Sequence, residues 1–340
     1  HSCKELMSIG IIPDIIVART SYSMDEEMKE KISLFCNINK ENVIENLDAD
    51  SIYDVPLMFE KQNVGDIICK RFKIKSEKND LQAWYDACMP DKNIDKQVEI
   101  ALVGKYVSLK DAYISVYESL KHAGNANNVN VKIRWIDSED IEKEGAKKLL
   151  EGVSGILVPG GFGNRGIEGK IQAIKYGREN NIPILGICLG MQMMCVEFFR
   201  DVVGIKDANS LEFDEQSKNP VINIMDEQVD VENKGGTMRL GKYPCKIDVD
   251  TKTYEAYKES MIYERHRHRY EFNNDYRELA TKNGLVIAGT SPDNKLVEIV
   301  ELANHPWAVG VQFHPELKSR PNRPHPIFRD FVAAAKESEK

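Results

Sequence analysis

The 340-residue chain has no apolar run near the ~20 residues that a membrane-spanning helix needs. Its longest near-continuous run, Ile182 to Leu189, is interrupted by Pro183, Gly186 and Cys188. It has no basic tail or stripe: 46 Lys and Arg against 54 Asp and Glu leave a formal charge of −8, spread along the chain. That excludes the electrostatic footprint of a nucleic-acid binder or of a protein held on anionic lipid. The seven cysteines, at 3, 36, 69, 88, 188, 195 and 245, form no Cys-x-x-C pair, and no Cys/His cluster has zinc-ligand spacing, so no metal is expected. Apart from Cys188 they read as small buried hydrophobes of a reducing, cytoplasmic setting. There is no internal repeat, no low-complexity segment and no G-x-x-x-x-G-K-[ST] phosphate loop. The chain opens with His1 rather than Met, in residues that already read as mid-helix, and a piece of a longer protein is expected.

From Val98 onward, short apolar strands alternate with helices: strands at Val98–Gly104, Val129–Ile136, Gly155–Val158 and Ile182–Ile187, and helices at Ser108–His122, Ser138–Leu150 (with Ser138 as cap), Gly169–Glu179 and Leu189–Phe199. Buried strands separated by helices predict an α/β fold, a mostly parallel sheet flanked by helices. Sites in such sheets lie at the carboxyl ends of the strands. Beyond Val202 the segments Pro244–Val249, Leu285–Thr290 and Leu296–Leu302 read as an antiparallel extension, followed by an apolar strand at Trp307–Phe313 and a helix at Ile327–Lys336. Residues 1–90 read as a separate piece: helix Cys3–Ile9, strand Asp14–Ala18, helix Asp25–Leu34, strand Val43–Glu45 and two further helices before Pro90. The charged stretch 91–97 is the expected linker, and 98–340 the second domain.

Three motifs fall at strand ends. Gly186-Ile187-Cys188-Leu189-Gly190 joins a buried strand to a helix. Glycines on both sides permit a sharp turn that exposes the sulfur, and the helix points its positive end at a thiolate. His314-Pro315-Glu316 follows the Trp307–Phe313 strand and supplies a base together with the acceptor that orients it. Pro159-Gly160-Gly161-Phe162-Gly163 can turn backbone N–H groups toward a developing oxyanion. Nucleophile, base and oxyanion loop at three strand ends fit acyl transfer through a thioester.

This combination resembles the class I glutamine amidotransferase family. The further stretches Val103-Gly104-Lys105-Tyr106, Asp111-Ala112-Tyr113, Leu211-Glu212 and Arg265-His266-Arg267-His268-Arg269-Tyr270-Glu271 resemble the amidotransferase half of the CTP synthase family. Residues 1–90 resemble the last part of that family's P-loop-type α/β synthetase domain. The resemblance implies Cys188 as nucleophile, His314 as general base and then acid, and Glu316 as its orienting partner. It implies an oxyanion hole at Gly161 and the N–H of Leu189, Glu212 on the glutamine ammonium, Arg269 on its carboxylate and Gln192 lining the pocket. Phe162, Asn164 and Arg165 fall in the loop that the family uses as a lid and associates with the activator GTP. Lys31 corresponds to a phosphate contact of UTP or CTP and Asp48 to an ATP contact. For an intact enzyme of the family the implied partners are L-glutamine, UTP, ATP, CTP and GTP, with Mg, in a homo-tetramer. This chain, lacking a phosphate loop, is expected to be competent for the glutaminase step. A free-standing γ-glutamyl hydrolase and a non-catalytic assembly module remain open at this point.

Overall fold

The computed structural model describes residues 1–49, 51–75, 80–88, 94, 96–225 and 238–338. The chain divides into two compact units, His1–Gln82 and Ala83–Lys340. The expected loop at Pro90 and most of the expected linker 91–97 lie outside the described residues. Residues 83–88 of the helix Gln82–Cys88, read above with the first piece, fall within the second unit, where the carbonyl of Ala87 accepts from the Asn125 side chain at 3.2 Å.

The first unit pairs two parallel strands, β1 (Ile16–Thr20) and β2 (Val43–Leu47), with helices Ser2–Ser8, Glu26–Cys36, Val55–Lys61 and Val64–Phe72. Asp25 caps the second helix, its carboxylate accepting from the Met28 N–H at 2.7 Å.

The second unit is built on a mixed sheet. Its strands are β3 (Gln97–Gly104), β4 (Asn130–Asp137), β5 (Gly155–Val158), β6 (Ile184–Ile187), β7 (Ala208–Ser210), β8 (Asn219–Ile224), β9 (Arg239–Ile247), β10 (Met261–His268), β11 (Tyr270–Phe272), β12 (Leu285–Thr290), β13 (Val297–Leu302) and β14 (Ala308–Val311). Nine of them form one sheet in the order β10-β9-β12-β13-β14-β6-β5-β3-β4. The five from β14 to β4 are parallel; the other four extend the sheet antiparallel through β13. The sheet is therefore mixed, the expected parallel strands carrying the expected antiparallel extension. Among the described residues a small second sheet, β11-β8-β7, lies apart from it; nothing in the sequence reading anticipated it.

Strand side chains alternate between faces, as the period of two requires. Ala101, Val103, Ile156 and Ile184 pack on one face with helices Ile167–Glu179 and Leu189–Phe198. Ile100, Leu102, Leu157 and Leu185 pack on the other with Phe328, Phe331 and Val332 of helix Pro326–Ser338. Burying each such side chain contributes about 1.5–3 kcal/mol. The helix read as continuous from Ser138 to Leu150 is two, Ser138–Glu144 and Ala146–Leu150, broken at Gly145, whose φ is +88°. Its cap is Asp137, which accepts from Glu139 N–H at 2.9 Å; the Ser138 hydroxyl is buried instead. The helix read from Gly169 begins at Ile167.

The corner between β6 and helix Leu189–Phe198 is tightly packed. A Cβ on Gly190 would lie 2.1 Å from the carbonyl oxygen of Val158, and one on Gly186 would lie 2.7 Å from the carbonyl carbon of Gly190. Only bare backbone lets the helix start this close to β5 and β6. Gly190→Ala should therefore lower the unfolding free energy of the chain by about 1–3 kcal/mol, read from urea denaturation, because the neighbour is backbone and cannot yield cheaply. An unchanged midpoint would show that the corner has slack.

Candidate active site

Cys188 stands at that corner as the N-cap of helix Leu189–Phe198, with φ +52° and ψ −103°. A non-glycine residue there is strained, and strain of this kind is held only where the surroundings over-determine it. They do so here: the Cys188 N–H donates to Val311 of β14 at 2.7 Å, and the Gln192 N–H donates back to the Cys188 carbonyl at 3.2 Å. The sulfur is buried; the side-chain amide of Gln312 donates toward it at 3.6 Å, and its thiol donates toward the Arg267 carbonyl at 3.9 Å.

β14 carries the partner groups. Four residues after it ends at Val311 come Gln312, Phe313, His314 and Pro315, and then Glu316. The His314 Nδ1 lies 2.8 Å from Glu316 Oε1, and the His314 N–H donates to the Arg265 carbonyl of β10 at 2.8 Å. Its Nε2 is buried with no hydrogen-bond partner among the described residues. Burial disfavours the imidazolium, but Cys188 and Glu316 outweigh it and push His314 up to about 10. The Pro159–Gly163 loop lies over both groups: a Cβ on Gly160 would be 3.0 Å from the His314 ring and 3.5 Å from the Cys188 Cβ. Gly161 faces Leu189, whose side chain would be 3.5 Å from a Cβ there. Cys188, His314, Glu316 and the glycine loop are thus brought together.

Glu212 is joined to the same loop, accepting from the Gly163 N–H at 2.8 Å. Burial raises its pKa; the Gly163 N–H, Lys105 and Lys170 oppose that. Arg269 is buried between β10 and β11. Burial pushes the neighbouring Tyr270 phenol up, Glu212 adding to the effect and Arg269 opposing it. Gln192 is buried, donating to the Tyr270 carbonyl at 3.0 Å and to the Gln312 side-chain oxygen at 3.2 Å. It thereby orients Gln312 toward the sulfur. Gln312 was missed in the sequence; its only signal is its place two residues before His314 on the same strand exit.

Phe162 is exposed beneath the Arg267 guanidinium, 5.7 Å from its ring. Arg165 donates to the Lys105 carbonyl at 2.6 Å and stacks over Tyr106. The Lys105 ammonium in turn binds the Phe162 carbonyl. Lys31 and Asp48 belong to the first unit, where Lys31 pairs with Glu27 at 2.6 Å. Asp48 accepts from the Ser21 hydroxyl at 2.6 Å, and that bond, with Arg19 nearby, holds its carboxyl below its ordinary range.

The basic run reads differently in three dimensions. On β10, residues alternate exposed and buried, so Arg265 and Arg267 face out while Glu264, His266 and His268 face in. Ligand atoms of His266, His268 and Glu298 lie within 4.8 Å of one another, a spacing a metal could use. A guanidinium already sits among them: Arg239 Nη1 is 2.7 Å from Glu298 Oε1 and 3.3 and 3.4 Å from the two imidazoles. Burial and this cation push His266 down to about 2 and His268 to about 3, so both are neutral.

The His314 imidazolium contributes stability that is fully present below its ordinary value near 6.5 and lost as pH rises through about 10. Removing the carboxylate removes one of the two groups that raise it. In Glu316→Gln the His314 titration midpoint, followed by NMR of labelled histidine, should fall by more than a unit. A midpoint that stays put would mean that Glu316 does not hold the proton on this ring.

Residues 108–334 match the family described as glutamine amidotransferase class-I, and residues 1–74 match the CTP synthase N-terminus. A CTP synthase of Caldanaerobacter subterraneus subsp. tengcongensis is 59% identical over 334 residues, covering 98% of this chain and 62% of that protein. One of Clostridium acetobutylicum is 56% identical over 335 residues, covering 98% and 63%. The chain thus spans less than two thirds of the length of these relatives. A solved structure, the glutaminase domain of Trypanosoma brucei CTPS with bound acivicin, superposes with a TM-score of 0.66 at 41% identity over 72% of this chain and 95% of that one. Together with the Cys188–His314–Glu316 geometry, these matches establish that the chain belongs to the class I glutamine amidotransferase family.

Proposed function

We propose that the chain hydrolyses L-glutamine to glutamate and ammonia through a thioester on Cys188, as the glutaminase portion of a CTP synthase. The observation that carries this is the half-buried His314–Glu316 pair at 2.8 Å beside a cysteine held at φ +52° on a strand-to-helix corner. The Cys188 sulfur, its proton passed to His314, attacks the side-chain amide carbon of glutamine. A C–S bond forms and the carbonyl electron pair moves to oxygen, which faces the N–H groups of Gly161 and Leu189. As the tetrahedral species collapses, the C–N bond breaks and His314 returns the proton to the leaving nitrogen, releasing ammonia. Water, deprotonated by His314, then attacks the thioester; the C–S bond breaks and glutamate leaves. Gln312, oriented by Gln192, steadies the sulfur. Glu212 receives the ammonium of glutamine and Arg269 its carboxylate, a match to the forked geometry of a guanidinium.

In the longer protein, the ammonia would aminate ATP-activated UTP to give CTP, with GTP acting on the Phe162–Arg165 loop and the enzyme a cytoplasmic tetramer. Among the described residues no helix is long and apolar enough to cross a membrane. The chain contains no phosphate loop to hold ATP, so no step through ATP or Mg falls to it; Lys31 and Asp48, both exposed, would contact UTP or CTP phosphate and ATP respectively in the longer protein.

The glutamine analogue diazo-oxo-norleucine should alkylate Cys188 alone among the seven cysteines, read by peptide mass spectrometry, and ammonia release should fall by at least about 10³-fold in Cys188→Ala. Labelling of a different cysteine, or ammonia release that survives the substitution, would overturn the assignment. Cleavage of a γ-glutamyl peptide without cleavage of glutamine would favour a γ-glutamyl hydrolase instead.

A further inference from the structure

In the sequence, Lys170 reads as an ordinary polar residue near the start of a surface helix. In the structure it is 1% exposed, among the largest fully buried side chains of the chain. A buried ammonium ordinarily sits on a carboxylate, because an unpaired charge in the interior is costly. Among the described residues the Lys170 ammonium makes no hydrogen bond and no ion pair, and Lys170 lies in the first turn of helix Ile167–Glu179, where the helix dipole disfavours a cation. Packing alone does not call for an ammonium here; a methionine would fill nearly the same volume.

What the amine lies against is the oxyanion loop. A Cβ on Gly161 would be 4.0 Å from Lys170 Nζ and 3.8 Å from Lys105 Cε. The charged groups facing Lys170 are Lys105 from the end of β3, Arg165 from the loop, Glu212 from beyond β7 and Asp137 from the end of β4. Burial first, then Lys105, brings the amine down to about 8, which leaves it a cation at neutral pH.

We propose that Lys170 is a positioning residue for the glutaminase step, a fixed positive charge behind Gly161 that stabilises the negative charge developing on the amide oxygen of glutamine. The inference rests on the reading of Cys188 and Gly161 given above. A preorganised charge in a water-poor interior acts over several ångströms, and it acts only when the oxyanion forms. Its loss therefore belongs in kcat rather than in KM.

The test is ammonia release from glutamine by the parent chain, Lys170→Met and, as a second variant with a polar end, Lys170→Gln, each with its thermal midpoint. Lys170→Met should lower kcat on the order of 10- to 100-fold, with KM for glutamine within about twofold. Its thermal midpoint should equal or exceed the parent's, since an unpaired buried charge has been removed. The parent's kcat should also decline as pH passes about 8, where Lys170 loses its proton, and this decline should be missing in both variants. A kcat within about twofold of the parent's overturns the proposal. A raised KM with kcat unchanged overturns it too, by assigning Lys170 to Glu212 and the substrate ammonium. A fall in thermal midpoint, kcat and affinity together makes the role structural. Failure of the parent chain itself to release ammonia overturns the underlying reading of the site, and this inference with it.

Discussion

The backbone at Cys188 carries the constraint on which the site depends. A non-glycine residue at φ +52° and ψ −103° costs on the order of 1–3 kcal/mol and persists only because its neighbours leave no alternative. β6 is pinned between β5 and β14, the Cys188 N–H is taken by Val311, and Gly190 lets the following helix press onto the Val158 carbonyl. The same contacts that force the corner also fix the distances: β5 delivers the glycine loop, β6 the cysteine and β14 the histidine, all at the carboxyl ends of the parallel strands. The core supplies the rigidity and the strand ends supply the chemistry.

β10 shows how an antiparallel strand is recruited to this parallel site. Its inward side chains are locked in charge networks: Glu264 by Lys318 at 2.8 Å and His325 at 3.3 Å, and the two histidines by Arg239 and Glu298. Its backbone carbonyls do the positioning, that of Arg265 receiving the His314 N–H and that of Arg267 lying beside the Cys188 sulfur. Buried ion pairs of this sort contribute little net stability, but they hold a strand in one register. Here that register sets where His314 and Cys188 sit.

Much of this was legible in the sequence, and the reasons differ from residue to residue. Gly186, Cys188 and Gly190 announce themselves because only glycine fits the corner, and β5 and β12 because apolar runs bounded by turn residues have clear ends. The Ser138 cap misled because Asp137, one residue earlier, is an equally good acceptor. β10 was unreadable as a strand: on its buried face Ile262 is followed by Glu264, His266 and His268, polar residues that meet Lys318, His325 and Arg239 from other elements, so the usual apolar alternation is absent. The small β11-β8-β7 sheet is made of short strands with no pattern of their own. Gln312 was invisible because a single polar residue in an apolar segment gives no hint of what it will meet after folding, and Lys170 because a lysine among the other polar residues of an amphipathic helix reads as solvent-facing.

The proposed hydrolysis passes through a covalent intermediate at one sulfur. The direct measurement is rapid acid quenching of the chain after mixing with glutamine, followed by mass spectrometry of its cysteine peptides. A γ-glutamyl group is expected on the Cys188 peptide during turnover, and should accumulate in His314→Ala, where attack is slow but measurable and the hydrolytic water is no longer activated. Ammonia released with no acyl group on Cys188, or an acyl group on another cysteine, would contradict it.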